Sequence, residues 1–317
     1  MTGNRALGTM FGATGVSTFM GIPACPDPEE VKGGIALIGA DGCTPYPSVG
    51  FYCAGGPAAI RGAGAAYAAN LTHMNFDLGG PVFPNGVKAV DLGDLAVSEA
   101  DAAGNRSLLQ STVTKVLDRG AVPFLLGGDD SLPIPMLQAF AGRGRELVIL
   151  QIDAHIDWRD EVRGERLGLS STMRRASEME HVGRIIQVGQ RGIGSARPGD
   201  VADALAQGVQ FVPAGNVARA GIGPVLDLMP DGADVVVCLD LDALDPAVMP
   251  AVIGRTAGGM SYWQVFDLIA GIAAKARIAA FDMVEFMPDR DIDGQGAAVA
   301  AQLLAGVMGI VARQDAG

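Results

Sequence analysis

The chain has 317 residues, is 49% hydrophobic and carries a formal net charge of −12. Its length suits one large α/β domain or two smaller ones, and its apolar content can form a sizeable core. The acidic balance argues against nucleic acid or an anionic membrane as a partner. We expect the N-terminus not to be a secretory leader, and we expect no membrane span, because no continuous apolar run reaches the required length. The four cysteines form no CxxC pair, which favours a reducing, cytoplasmic location.

Short apolar runs alternate with helix-like stretches along the chain. Strands are predicted at 34–40, 87–94, 121–128, 146–155, 184–192, 209–215, 233–246 and 277–288. Helices are predicted from Pro57, over 107–120, after Pro133, over 261–276 with Ser261 as N-cap, and over 296–314.

Strands that are apolar throughout and alternate with helices predict a parallel sheet covered on both faces. The fold class is therefore a single three-layer αβα domain with a mainly parallel, doubly wound sheet of about eight strands. We expect residues 1–33 to form an N-terminal arm and residues 34–317 to form the domain. Ligands of such sheets bind beyond the carboxyl ends of the strands.

Three of the predicted strands have acidic residues at or just beyond the end of their apolar run. The three sets are Asp153, His155 and Asp157; Asp240 and Asp242; and Asp129 and Asp130. Side chains at i, i+2 and i+4 of a strand point to the same side, so we expect the first two sets to converge.

A partly dry cluster of carboxylates needs a cation to offset its charge. Oxygen ligands with one imidazole suit Mn²⁺ and, less selectively, Ni²⁺, Co²⁺ or Zn²⁺, and bridging carboxylates could hold two ions about 3.5–4 Å apart. We interpret Asp245, before Pro246, as a turn former. Neither His73 nor His181 lies in such a motif, and we interpret both as packing or surface residues.

The chain resembles the ureohydrolase family of arginases, agmatinases, guanidinobutyrases and formiminoglutamases from about residue 34 onward. The similarity rests on seven motifs: GPAAIR (56–61), LGD (92–94), GGDDS (127–131), DAHID (153–157), DLDALDP (240–246), GGMS (258–261) and DMVEF (282–286). It implies a single α/β domain with a mainly parallel eight-stranded sheet.

The resemblance also implies a binuclear manganese centre. Its ligands would be Asp130, Asp153, His155, Asp157, Asp240 and Asp242, with Asp153 and Asp240 bridging the ions. In the implied mechanism, water activated by the ions attacks the guanidinium carbon, Asp157 orients it or accepts its proton, and Glu285 binds the guanidinium bidentately. The products would be urea and an amine.

Two positions depart from the family pattern. Asp130 occupies the place of a histidine ligand, and Leu169 lies near the place of a loop histidine that serves as acid or base. Ser170 and Ser171 could donate hydrogen bonds there but are poor general acids at neutral pH.

Two hypotheses follow from the departures. The first is an active amidinohydrolase that contains two Mn²⁺ or Ni²⁺ ions and acts on a small guanidino compound. The second is a weak or silent ureohydrolase-like subunit of a hetero-oligomer, such as a metformin-hydrolase-type complex. The resemblance implies a homo-oligomer, a trimer or hexamer, for the first. An agmatine-like or guanidinobutyrate-like substrate fits better than arginine, because no segment matches the one with which arginases bind the α-amino acid end.

Overall fold

A computed structural model describes Met10, residues 15–194 and residues 196–314. Eight strands form one sheet: β1 (Gly34–Ala40), β2 (Ala89–Asp94), β3 (Ala121–Gly127), β4 (Leu147–Ile152), β5 (Val182–Val188), β6 (Gln210–Val212), β7 (Asp234–Asp240) and β8 (Arg277–Val284). Their order is β2-β1-β3-β8-β7-β4-β5-β6, and every neighbouring pair is parallel. The predicted single, parallel, eight-stranded α/β domain is confirmed.

Helices cover both faces of the sheet. Within the described ranges they are α1 (Gly56–Ala65), α2 (Ala102–Asp118), α3 (Pro133–Gln138), α4 (Thr172–Ser177), α5 (Pro198–Ala206), α6 (Ala214–Ala220), α7 (Gly223–Leu228), α8 (Tyr262–Ala273) and α9 (Gln295–Gln314). One core contains residues of α1, α6, α7, α8 and α9, and the other contains residues of α2, α3, α4 and α5.

Strand β7 shows why its sequence is apolar without alternation. Val235, Val237 and Leu239 belong to the core on one face, whereas Val236 and Cys238 belong to the core on the other. Each residue is therefore buried whichever way it points, as in other parallel sheets that are covered on both sides. Cys238 serves as a small core residue, and all four cysteines are unpaired.

Seven of the eight predicted strands are shorter in the structure, and only β1 has the predicted bounds. Strand β4 ends at Ile152, three residues before the predicted end, and β6 is followed by α6 from Ala214. The sequence also gave no sign of α4, α6 or α7, each of six or seven residues. Helices this short complete fewer than two turns, which leaves no 3.6-residue period to detect.

The first and last long described segments contribute to the same core. The prediction of an arm over 1–33 falls partly outside the described residues; within 15–33, Phe19 and Ile22 are buried in the core that contains α9. Contrary to our expectation, α9 is long and apolar enough to cross a membrane by length and composition. However, 72% of that apolar window is buried inside the fold, as in a core helix of a globular domain.

The start of α8 provides a test of helix capping. The Ser261 hydroxyl accepts a hydrogen bond from the Gln264 backbone, and the Gln264 side chain accepts one from the Ser261 backbone. This capping box confirms the predicted cap. We expect Ser261→Ala to lower the free energy of unfolding by about 1 kcal/mol, measured by guanidinium chloride denaturation.

Ser111→Ala is the matched control, because Ser111 is exposed within α2 and bonds only to a carbonyl of its own helix. Its effect should stay below about 0.5 kcal/mol. Equal destabilisation by both variants would contradict the capping argument.

Candidate metal centre

The sheet order places four loops side by side. Strands β3, β8, β7 and β4 are consecutive neighbours, and their carboxyl ends carry GGDDS, DMVEF, DLDALDP and DAHID. Motifs separated by more than a hundred residues therefore meet at one edge of the sheet, where ligands of such folds bind.

The acidic side chains form two groups there. Asp153, His155, Asp240 and Asp242 form one, and Asp130, Asp153 and Asp157 form the other. Within each group the potential ligand atoms lie within 4.8 Å of one another. All six metal ligands that the resemblance implies are thus brought together. Asp153 belongs to both groups and could bridge two ions, whereas Asp240, the second expected bridge, belongs to one.

The convergence does not come from strand alternation, as we had expected. Strand β4 ends at Ile152, and residues 153–157 form an irregular segment in which Asp157 has φ +43°. Asp242 likewise lies in a 3₁₀ turn after β7. The irregular backbone sends His155 to one group and Asp157 to the other, which a continued strand would not do. A positive φ at a non-glycine residue is costly and is typical of functional sites.

Two glutamines support the centre and were missed from the sequence. Gln151 donates hydrogen bonds to Asp153 (2.7 Å) and Asp157 (2.6 Å). Gln187, its register partner on β5, donates to Gln151 and to the carbonyl of Ile156. A polar residue inside each of two apolar strands was a signal, because a buried amide needs a hydrogen-bond partner.

The two aspartates of GGDDS point in different directions. Asp129 accepts hydrogen bonds from the backbone of Cys43 and Ser131 and so supports the loop. Asp130 faces the cluster, and its Oδ2 is buried without a hydrogen bond from any residue that the structure describes. The adjacent charges therefore do not share one environment.

The electrostatics of the cluster suit divalent cations. Burial raises the pKa values of Asp130, Asp157 and Asp240 well above the usual range, and neighbouring carboxylates raise them further. Burial opposes a charge on His155, but hydrogen bonds to Asp153 and Asp242 outweigh it and raise its pKa to about 12. Five carboxylates thus share one imidazole, and the unsatisfied Asp130 oxygen is an available hard donor. Two divalent ions would neutralise this excess and favour ionised ligands.

Glu285 lies beside the cluster but belongs to neither group. Its Oε1 accepts hydrogen bonds from the Tyr52 hydroxyl (2.5 Å) and from the Asp130 backbone (2.9 Å). Burial raises the pKa of Glu285 to about 8, against the effect of the Tyr52 hydrogen bond. It is 4% exposed and has φ +68°, so its position is fixed by the surrounding structure.

A cavity of about 240 Å³ opens above these residues. Its wall includes residues of the two acidic groups together with Glu285, Tyr52, Trp158 and Leu169. Leu169, which lies near the place of the loop histidine that the resemblance implies, contributes an apolar side chain to the cavity. Arg159 and Asp200 also line it, with Arg159 Nη1 3.2 Å from Asp200 Oδ2. The volume suits a small ligand.

The remaining histidines and Asp245 lie outside the two groups. Asp245 accepts hydrogen bonds from the backbones of Ala247, Gly258 and Gly259, which confirms a turn-forming role. His181 bonds to the carbonyl of Leu137, and His73 lies beside Asn70.

Comparison with known proteins identifies the class. The Arginase family profile matches residues 47–309. A guanidinobutyrase from Pseudomonas aeruginosa is 26% identical over 92% of this chain and 90% of its own length. A mitochondrial agmatinase from Gallus gallus is 28% identical over 92% and 84%. The structure of proclavaminate amidinohydrolase from Streptomyces clavuligerus matches with a TM-score of 0.80 and 25% identity, over 95% of this chain and 99% of that one.

The class is that of metal-dependent hydrolases with the arginase fold. This chain belongs to the arginase family. The resemblance inferred from the sequence motifs is thereby confirmed.

Asp153 is the position where metal loss should be greatest, because it belongs to both groups. We expect Asp153→Asn to reduce the bound divalent metal from about two ions per chain to fewer than one, since a bridging anion is lost. Metal analysis of purified protein measures this. Removal of metal with a chelator should also lower the thermal midpoint of the wild type, because ions that bind only the folded state stabilise it.

Asp231→Asn is the control, since Asp231 is 86% exposed and lies before β7. It should retain the wild-type metal content. Full metal retention by Asp153→Asn would contradict the assignment of both groups as metal sites.

Proposed function

We propose that this protein is a binuclear metal-dependent amidinohydrolase that cleaves a small guanidino compound to urea and an amine. The observation that carries the proposal is the pair of ligand groups that share Asp153, next to a buried glutamate in one cavity. Membership of the arginase family and the names of the relatives support this reaction class.

The residues divide the chemistry between them. Bound divalent ions would supply the Lewis acidity that makes water a nucleophile at neutral pH. Glu285 would bind the substrate guanidinium and fix its carbon near the ligand groups. Asp157, held by Gln151, would orient the attacking water or accept its proton. Water is consumed as the carbon–nitrogen bond to the tail breaks, and the leaving nitrogen takes up a proton.

We propose two Mn²⁺ ions, with Ni²⁺ as the alternative. The group that contains Asp130 offers only oxygen ligands, and the other offers oxygen ligands with one imidazole. Hard oxygen donors favour Mn²⁺, whereas nitrogen donors raise the affinity for Ni²⁺. Metal analysis of protein produced with both ions in the medium decides between them, and a predominance of nickel would reject the first choice.

We propose a carboxylate-tailed substrate of the guanidinobutyrate kind, with agmatine as the alternative. The Nη1 of Arg159 is buried and, among the described residues, makes no hydrogen bond of good geometry, although Asp200 lies 3.2 Å away. An unsatisfied buried donor is costly, and a guanidinium matches a carboxylate bidentately. A substrate carboxylate at the mouth of the cavity would satisfy it.

The second candidate is a weak or silent subunit of a hetero-oligomer of the metformin-hydrolase type. The observations that favour it are Asp130 and Leu169, each at a position where the family has a histidine. The buried group of Asp130, Asp153 and Asp157 would destabilise a protein that binds no metal. Its presence therefore favours the active enzyme over the silent subunit.

Assembly and location also remain proposals. We propose a homo-oligomer, a trimer or hexamer, to be tested by the mass of the purified protein in solution. We propose a cytoplasmic location, supported by four unpaired cysteines and tested by cell fractionation.

The function is tested by urea release. Metal-loaded wild-type protein should release urea from 4-guanidinobutyrate or agmatine, and Glu285→Gln should lower kcat/KM about a hundredfold by removing a charged hydrogen-bond partner. The variant should keep its metal, because Glu285 belongs to neither ligand group.

Absence of urea release from every guanidino compound tested, with metal bound, would reject the proposed activity. If the wild type binds no metal and Asp130→His gains both metal and activity, the silent-subunit alternative holds.

The tail preference is tested by Arg159→Met. We expect kcat/KM for 4-guanidinobutyrate to fall at least about tenfold, because the partner of the substrate carboxylate is lost. The value for agmatine, whose tail is cationic, should change by no more than about threefold.

Asp200→Asn is the matched variant at the other end of the same pair. It should leave 4-guanidinobutyrate turnover intact or raise it, because Arg159 loses its competing anion. If the wild type prefers agmatine and Asp200→Asn removes that preference, the substrate has a cationic tail, and the proposed carboxylate-tailed substrate is rejected.

A further inference from the structure

The two oxygens of Glu285 have unequal partners. Oε1 accepts one hydrogen bond from the Tyr52 hydroxyl and one from the Asp130 backbone, which uses both of its lone-pair directions. Among the residues that the structure describes, Oε2 has only the thiol of Cys53 as a hydrogen-bond partner, at 3.9 Å, and a thiol is a weak donor. Only Oε2 is therefore available to a ligand in the cavity.

Tyr52 reaches Glu285 from a separate part of the chain. It lies in the loop between β1 and α1, whereas Glu285 follows β8, and both side chains line the same cavity. Burial and the nearby Glu285 charge raise the pKa of Tyr52 far above its usual range. Its hydroxyl therefore stays protonated at neutral pH and acts as a donor to Oε1 of Glu285.

The backbone of Glu285 is fixed independently of Tyr52. Its φ is +68°, and its N–H donates to the carbonyl of Gly128 at 2.8 Å. The carboxyl group of the side chain is held mainly by the two hydrogen bonds to Oε1, with the weak thiol contact at Oε2. Removal of the Tyr52 hydroxyl would leave the rotation of the carboxylate less restricted while the backbone stays in place.

We propose that Tyr52 is a positioning residue of the guanidinium site, which saturates Oε1 of Glu285 and presents Oε2 to the substrate. The guanidinium is then bound through one carboxylate oxygen, in place of the bidentate contact that the sequence comparison implied. The proposal rests on the proposed function for the identity of the bound group. Tyr52 belongs to none of the recognisable motifs, so this role could not be predicted from the sequence.

The test is a comparison of Tyr52→Phe with wild type, which keeps the ring and removes the hydroxyl. Calorimetric titration with guanidinium chloride and with 4-guanidinobutyrate, on metal-loaded protein, should show about tenfold weaker binding of both. KM should rise by a similar factor with kcat within about threefold, because the contact is made before and during the reaction. Metal content and the thermal midpoint should match the wild type.

Tyr46→Phe is the matched control. Tyr46 lies in the same loop, and its hydroxyl accepts a hydrogen bond from the Ser170 backbone without contacting Glu285. Its affinity for guanidinium should equal that of wild type. Equal weakening in both variants would show that the loop, and not the Tyr52 hydroxyl, is responsible, and would overturn the proposal.

The remaining outcomes separate this proposal from the proposed function. Wild-type affinity in Tyr52→Phe overturns the role of Tyr52 even if urea is released. A wild type that binds guanidinium but releases no urea contradicts the proposed activity, while the two affinities still decide the role of Tyr52. A wild type that binds no guanidinium contradicts both.

Discussion

The concentration of buried negative charge at the end of four central strands governs this structure. Five aspartates share the single imidazole of His155, and four of them line the same cavity as Glu285. Desolvation and mutual repulsion oppose the ionisation of most of them, so the arrangement persists only because the rest of the fold holds it. The sheet and its two apolar layers supply that rigidity, and bound divalent cations would offset the negative charge of the cluster.

The fold solves this problem through strand order. β3, β8, β7 and β4 are distant in sequence but adjacent in the sheet, so each contributes one loop to the same edge. Hydrogen bonds hold the acidic side chains in place. Gln151 donates to Asp153, and Gln187, on the neighbouring strand, donates to Gln151, while Tyr52 donates to Glu285. The ligands themselves are therefore only the inner part of a hydrogen-bonded unit that includes amides and a phenol, as is usual around metal sites.

Local patterns predicted the regular elements well and the supporting contacts poorly. Apolar runs identified all eight strands, and Ser261 identified a helix start, because both depend on residues close in sequence. The DAHID and DLDALDP motifs identified the cluster, but the prediction that strand alternation brings its residues together was wrong. They converge through irregular backbone after β4 and β7. No local pattern predicts the positive φ of Asp157, which lies in irregular backbone. The Tyr52–Glu285 and Arg159–Asp200 contacts join segments distant in sequence, so they could not be predicted either.

The left-handed backbone of Asp157 and Glu285 has a consequence for engineering. Each such conformation costs about 1–3 kcal/mol at a residue with a side chain, and glycine would relieve it. A selection for thermal tolerance alone would therefore be drawn to these two positions and would remove the carboxylates that line the cavity. Thermal stability and activity therefore place opposite demands on these two residues. A thermostable variant that keeps its carboxylates would need stabilising substitutions in the helical layers, far from the strand ends.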